Sequence, residues 1–136
     1  MSTILTRLIY VSRPLGYDPI ELDDILRTAR DHNARFGITG ALISRWDLFL
    51  QMLEGAAEPV AETFQRIRRD RRHVEVTLLG TAEVSHRLFP DWQMRDDAAP
   101  SWIWPHADVL AGRHLATPFD EVVAMFARIA AERPGP

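Results

Sequence analysis

The order of hydrophobic patterns along the chain limits the folds open to it more than any other feature. Apolar runs with strand-like composition lie at about 4–12, 38–44, 48–53, 74–79 and 92–95. Apolar residues at helical spacing fill two of the gaps between these runs: Leu22, Ile25, Leu26 and Ala29 in one, and Val60, Phe64 and Ile67 in the other. The resulting order, β-α-β-β-α-β-β, predicts an α+β domain of ferredoxin-like type, with one sheet and two helices on one of its faces.

A stretch rich in Pro and Trp follows the last predicted strand and separates the end of the chain from the rest. Thr117 is the expected N-cap of a final helix, with Pro118 as its first residue. The apolar stripe of this helix is formed by Phe119, Val122, Val123, Phe126 and Ile129. We therefore divide the chain into a domain at 1–96 and a helical extension at 97–136, which packs on the sheet face opposite the first two helices or on a partner.

The composition excludes several classes of function. The chain has no cysteine, so disulfides, zinc–thiolate sites and thiol catalysis are ruled out. Its net charge is -3, and its one basic cluster, 66–72, is interrupted by Asp70, so we expect no nucleic acid partner. No apolar run reaches the ~20 residues of a membrane span, and the N-terminus does not resemble a signal peptide. We therefore expect a cytoplasmic protein.

The five histidines show no ligand spacing on a single predicted element, and we expect no metal site. They are His32, His73, His86, His106 and His114.

Three polar side chains occupy positions where the pattern calls for apolar ones. Strand alternation places Gln51 on the same face as Phe49 and Leu53, Tyr10 lies within the first strand, and Asn33 continues the apolar stripe of the first helix. A buried amide without a partner costs roughly 1–3 kcal/mol, so these groups need partners. Each could be an ordinary core residue with a satisfied hydrogen bond. The pattern by itself predicts only a polar site between the sheet and its helices.

Five separated motifs identify a resemblance to a known family. They are Leu8–Arg13 (LIYVSR), His32–Gly40 (HNARFGITG), Phe49–Gly55 (FLQMLEG), Arg69–His73 (RDRRH) and Phe89–Met94 (FPDWQM). In this order they resemble the BLUF family of flavin-binding blue-light photoreceptor domains, over about residues 4 to 95. The resemblance implies the same α+β fold that the hydrophobic pattern predicts.

The resemblance implies a role for each matching position. Tyr10 matches the photoactive tyrosine, Gln51 the glutamine that bridges it to the flavin, and Asn33 an asparagine that hydrogen-bonds the flavin ring. Trp92 and Met94 match the pair that exchanges buried and exposed positions on signalling. Further contacts are implied for His32 beside the ring, for Ile25 and Ile67 on its two faces, for Arg66 and Asp70 near the ring and ribityl chain, and for Arg72 and His73 at the outer edge.

By this resemblance the chain is a blue-light photoreceptor and not an enzyme. The light-excited flavin takes an electron and a proton from Tyr10, Gln51 rearranges, and the changed hydrogen-bond network signals to a partner protein. The family's usual cofactor is FAD, although FMN or riboflavin would also suit the ring contacts. We expect a downstream signalling protein and a homo-oligomer as partners. Two alternatives stay open from the residues: a light-independent ligand-binding or adaptor module, and a flavin-dependent oxidoreductase.

Overall fold

The computed structural model describes residues 4–15 and 18–132, apart from the side chain of His73. Along the chain, the elements are β1 (Leu5–Pro14), α1 (Pro19–Phe36), β2 (Thr39–Arg45), β3 (Leu48–Gly55), α2 (Ala57–Arg68), β4 (His73–Val84), β5 (Arg95–Ala98), α3 (His106–Leu110), a 3₁₀ turn (Arg113–Ala116) and α4 (Phe119–Ala131). The predicted order of strands and helices is confirmed, and the described residues add short α3 and the 3₁₀ turn.

One five-stranded mixed sheet forms the centre of the molecule, in the order β4-β1-β3-β2-β5. Neighbouring strands run antiparallel except for β5, which runs parallel to β2. The ferredoxin-like α+β fold class is therefore confirmed. Strand β3 lies between β1 and β2, with Tyr10 of β1 directly opposite Gln51 of β3. This register places both predicted polar residues in the middle of the sheet.

Local signals at both ends of α1 explain its extent. The side chain of Asp18 accepts a hydrogen bond from the backbone N–H of Ile20 at 2.8 Å, and Pro19 fits the first helical position. Gly37 ends the helix in the left-handed conformation, with φ of 68°, which glycine adopts without steric cost. The helix thus continues beyond Asn33, the last residue of the predicted stripe, which lies buried on its inner face.

Each face of the sheet carries its own hydrophobic core, because alternate strand residues point to opposite faces. On one face α1 and α2 pack over a cluster formed by Leu8, Tyr10, Ile25, Leu26, Ile38, Leu42, Phe49, Leu53, Val60, Phe64 and Met94. On the other face α4 packs over a cluster formed by Ile9, Val11, Ala41, Ile43, Leu48, Leu50, Met52, Phe89, Ile103, Val122, Phe126 and Ile129. Both faces of the sheet are therefore covered.

Two sequence predictions are corrected by the structure. The last strand is not at 92–95 but at Arg95–Ala98, where it pairs with β2 as a polar edge strand. Thr117 does not cap α4: the helix begins at Phe119 with Pro118 in the cap position, and the Thr117 hydroxyl accepts a hydrogen bond from the Trp104 indole at 3.0 Å.

The predicted boundary between residues 96 and 97 falls inside β5, and the division into two parts stays a prediction. Within the described part of the chain, none of the helices combines the length and apolar character that crossing a membrane requires.

Candidate functional site

A cavity lies between α1, α2 and the sheet. The space between the protein atoms here amounts to about 490 Å³, and this figure includes the part that is open to solvent. Its lining residues are Tyr10, Ile25, Thr28, Ala29, His32, Asn33, Gln51, Leu53, Thr63, Arg66, Ile67, Asp70 and Arg72. The two helices supply apolar side chains on two sides, and the polar groups converge from the sheet floor and from the helix ends.

The floor of the cavity is formed by two side chains that face each other across neighbouring strands. The Tyr10 hydroxyl donates a hydrogen bond to Oε1 of Gln51. The other end of the same amide, Nε2, donates to the sulfur of Met94 at 3.3 Å. Because a thioether sulfur is a weak acceptor, the NH₂ group of Gln51 is held less firmly than its oxygen.

The Tyr10 phenol is fully buried, and this burial governs its protonation. Burial raises the pKa of Tyr10 far above its usual value, and the negative charge of Asp70 raises it further. The phenol is therefore a neutral hydrogen-bond donor across the physiological pH range. Its proton points toward Gln51, which is the arrangement needed for moving a proton between the two side chains.

The segment before β5 lies against Gln51 and Asn33. Asn33 donates from Nδ2 to the carbonyl of Gln93 at 2.6 Å, and the carbonyl of Trp92 accepts from the N–H of Gly40 at 3.0 Å. Met94 is 1% exposed, whereas Trp92 is 38% exposed. In this arrangement the methionine is inside the molecule and the tryptophan is at its surface.

His32 connects the two helices at the side of the cavity. Its Nε2 lies 2.8 Å from Oγ1 of Thr63, and its Nδ1 lies 2.7 Å from a guanidinium nitrogen of Arg66. The Thr63 hydroxyl donates to the carbonyl of Pro59 at 2.7 Å, and a guanidinium only donates, so Nε2 carries the proton and Nδ1 accepts. Burial lowers the pKa of His32, and the charges of Arg66 and Arg35 lower it further, which agrees with a neutral ring.

An ion pair stands at the C-terminal end of α2. Asp70 accepts from the backbone N–H of Arg72 at 2.9 Å and from its guanidinium at 2.6 Å. The hydrogen bond to Asp70 raises the pKa of Arg72, against the effect of partial burial. Arg66 and Arg72 give this side of the cavity cationic groups that suit a polar or anionic part of a ligand.

Every residue predicted around the cavity is found in its lining except His73, whose side chain lies outside the described part of the structure. The prediction missed four lining residues: Thr28, Ala29, Leu53 and Thr63. Thr63 precedes Ile67 by one helical turn and therefore shares its face, so helical spacing would have found it. Among the described residues, no group of three His, Asp or Glu side chains is placed to hold a metal ion.

The chain is similar to several known proteins. The profile of the family described as "BLUF: Sensors of blue-light using FAD" matches residues 5–95. The subunit beta of a photoactivated adenylate cyclase of Euglena gracilis is 40% identical over 96 residues, which are 68% of this chain and 11% of that protein. The corresponding subunit of Euglena longa is 36% identical over 94 residues, covering 66% of this chain and 11% of that protein. The chain thus spans about a tenth of the length of these curated relatives.

Similar solved structures include proteins of about the same size. The dark-state structure of BlrB, described as a BLUF protein, has a TM-score of 0.76 at 30% identity and covers 96% of this chain and 98% of its own. The ground state of BlsA has a TM-score of 0.81 at 26% identity and covers 97% of this chain and 91% of its own. A bacterial light-regulated adenylyl cyclase has a TM-score of 0.69 at 28% identity, and the match covers 93% of this chain but only 38% of the cyclase.

Proposed function

We propose a switching mechanism for this chain, which belongs to the BLUF family of blue-light sensors that use FAD: Tyr10 and Gln51 form the photochemical switch, and Met94 carries its change toward β5. The observation that supports it best is the hydrogen-bonded chain from the Tyr10 hydroxyl through the Gln51 amide to the Met94 sulfur. A single amide in this chain holds a phenol at one end and a weak acceptor at the other. Reversing that amide changes both contacts at once.

The residues of the cavity fit a flavin. Ile25 and Ile67 present aliphatic side chains from two different helices, as the two faces of a planar ring require. Asn33 and Gln51 carry amides that can both donate and accept, which suits the mixed polar edge of an isoalloxazine. The NH₂ group of Gln51 donates to the thioether of Met94, and a flavin nitrogen or oxygen would be a stronger acceptor. We propose FAD as the flavin.

The protein's part in the chemistry follows from two side chains. A bound flavin supplies a strong one-electron oxidant when it absorbs blue light. The Tyr10 phenol can give up an electron, and its proton can pass along the existing hydrogen bond to Oε1 of Gln51. Rotation of the Gln51 amide, or its shift to a tautomer, then exchanges donor for acceptor toward its neighbours. When Tyr10 recovers its electron and proton, no atom of the flavin need have been covalently changed, and the hydrogen-bond pattern around Gln51 differs.

The size of this change limits the signal. One hydrogen bond contributes roughly 0.5–1.5 kcal/mol net, whereas reversing a two-state population from 1:99 to 99:1 takes about 5.5 kcal/mol. A single switched bond at Gln51 therefore shifts populations modestly. We propose that a partner protein, or a second copy of the chain, amplifies the shift, and that the chain itself has no enzymatic activity. A cytoplasmic location suits this role.

An absorption spectrum of the purified protein tests the proposal. The protein should be yellow, and blue light should shift its flavin band to longer wavelength, with reversal in the dark. Tyr10→Phe and Gln51→Leu should each abolish the shift while flavin stays bound. Gln65→Leu, at an exposed position of α2, is the matched control and should retain the shift.

Three results would count against the proposal. A colourless protein that rejects added flavin would remove the sensor function, and a full spectral shift in Tyr10→Phe would remove the tyrosine from the mechanism. Turnover of bound flavin with a reductant in the dark would instead indicate an oxidoreductase.

A further inference from the structure

Two side chains of α1 hold consecutive carbonyl groups just before β5. Arg30 donates from Nε to the carbonyl of Met94 at 3.1 Å. Asn33, three residues later and on the same face of the helix, donates to the carbonyl of Gln93 at 2.6 Å. Of these two α1 residues, Asn33 lines the cavity, whereas Arg30 is not part of its lining.

Met94 is consequently held at two points by two different parts of the fold. Its side chain receives the hydrogen bond of Gln51 from the sheet, and its carbonyl receives the hydrogen bond of Arg30 from the helix. The bond from Arg30 is charge-assisted and therefore the stronger kind. If the Met94 side chain moves, the backbone carbonyl of the same residue stays held by Arg30.

The backbone after Met94 leads directly out of the site. Arg95 begins β5 opposite Ala41 of β2, and beyond the strand the N–H of Ala99 donates to the carbonyl of Ser44 at 2.9 Å. The chain then enters the extension that covers the other face of the sheet. β5 is thus the covalent link between the switch and the extension.

The charge of Arg30 also acts on β5 itself. Burial raises the pKa of Asp96, and Arg30 opposes this effect by lowering it. Arg30 therefore interacts with the residues on both sides of the first residue of β5. Its neighbour on the helix, Arg27, pairs instead with Asp24 on α1, at 3.4 Å.

From this geometry, and resting on the proposed function, we propose that Arg30 is a positioning residue that couples the rearrangement of Gln51 to β5 by holding the carbonyl of Met94. When Arg30 holds the carbonyl of Met94, movement of the Met94 side chain is transmitted to Arg95 and to the rest of β5. Without the hydrogen bond from Arg30, the irregular segment 85–94 can change its conformation in response to the same movement, and the movement does not reach β5.

Hydrogen exchange of the β5 amides, 95–98, in the dark and under blue light tests this role. The variants are Arg30→Ala, Arg30→Lys, which keeps a charged donor, and Arg27→Ala, which removes an arginine from the same helix. We expect Arg30→Ala to keep flavin binding and the spectral shift, but to reduce the light-induced change in exchange at these amides by about tenfold. A factor of ten corresponds to about 1.4 kcal/mol. Arg30→Lys should restore part of the change, and Arg27→Ala should behave as the wild type.

Each outcome decides a separate question. A light-induced change at 95–98 that is as large in Arg30→Ala as in the wild type overturns the coupling role, and so does an equal loss in Arg27→Ala. A wild-type protein without a spectral shift overturns the proposed function instead. In that case unchanged dark-state exchange at 95–98 in Arg30→Ala would also show that Arg30 does not position β5.

Discussion

Glu54, at the end of β3, is a completely buried acidic residue. Its carboxylate accepts hydrogen bonds from the backbone N–H groups of Leu88 and Phe89, at 2.9 and 3.1 Å, and pairs with Arg7 at 3.0 Å. It therefore fixes the start of the segment that leads to Met94. At the level of the sequence this residue reads as an ordinary charged strand end before a glycine, because the partners that bury it lie 34 or more residues away.

Replacing Glu54 with Ala should destabilise the protein strongly. The change leaves the Arg7 side chain, which is 12% exposed, without its carboxylate, and it removes the acceptor of the N–H groups of Leu88 and Phe89. Removing one partner of a buried pair costs about 3–5 kcal/mol. The control is Arg13→Ala, which breaks the exposed pair with Glu75 and should cost under about 1 kcal/mol. Urea unfolding of both variants measures the difference, and equal losses would show that Glu54 is not a structural anchor.

The same contrast explains which site residues could be found from the sequence. Tyr10 and Gln51 stand out because they interrupt apolar strands, and a local period is enough to detect them. Arg30 does not stand out, because it is one of several charged residues on an amphipathic helix. Its role depends on a carbonyl 64 positions further along the chain. Long-range contacts of this kind become visible only in the folded structure.

At the level of elements, β1 to β4 lie close to the apolar runs that predict them. Strand β5 has no apolar run and does not lie where the sequence predicts a fifth strand. Trp92 and Met94 alternate like strand residues, so the last strand was predicted around them. The real strand, β5, has the sequence Arg-Asp-Asp-Ala and forms because an edge position beside β2 supplies hydrogen bonds rather than burial. Trp92 is instead exposed at the protein surface, and Met94 is buried in the interior.

Strand β4 continues beyond its predicted end at Leu79, and Gly80 within it lets α4 approach the sheet closely. A Cβ at Gly80 would lie 2.5 Å from the ring of Phe119, the first residue of α4. Gly80 lies inside the strand, and its lack of a side chain makes room for the helix. The position of Gly80 opposite Ile9, where the pairing of β1 and β4 shifts register, fits this use.

Gly80→Ala should therefore weaken the packing of α4 on the sheet. Forcing a methyl group into a well-packed contact typically costs about 1–3 kcal/mol. Because the clash is with Phe119, the same substitution should cost much less in a Phe119→Ala background. A double-mutant cycle of unfolding free energies measures this coupling, which should approach 0.5–3 kcal/mol, roughly the range for residues in contact. Additive effects would place the strain elsewhere.

At the scale of the whole molecule, one sheet separates two different environments. The cavity occupies the face under α1 and α2, and the extension covers the opposite face. The extension is also attached at the β2–β3 turn, where Asp47 accepts from His106 at 2.8 Å and from Arg45. Burial opposes the ionisation of Asp47, but these hydrogen bonds outweigh it and lower the pKa of its carboxyl. The light-driven changes that we propose for β5 would therefore reach an extension that is bonded to the sheet at a second place, the β2–β3 turn.

The stability of this extension should depend on pH through His114. His114 is 8% exposed, its ring meets Trp104 edge-on at 5.6 Å, and its Nδ1 is buried without a hydrogen-bond partner among the described residues. Burial lowers the pKa of His114, although a backbone contact at Asp108 and the charge of Asp47 oppose the shift. The folded protein therefore holds this ring neutral at pH values where the unfolded chain has protonated it.

The sign of the pH effect follows from that difference. The unfolded state binds the extra proton as pH falls below about 6.5, so the free energy of unfolding should decrease between pH 7.5 and 5.5. Asp47 does not contribute in this window, because its pKa is lowered from a value of 3.8. His114→Gln should flatten the decrease, and His32→Gln should flatten it independently, because the pKa of His32 is lowered as well. Urea unfolding at both pH values measures this, and an unchanged slope in His114→Gln would show that the extension tolerates a charged ring at this position.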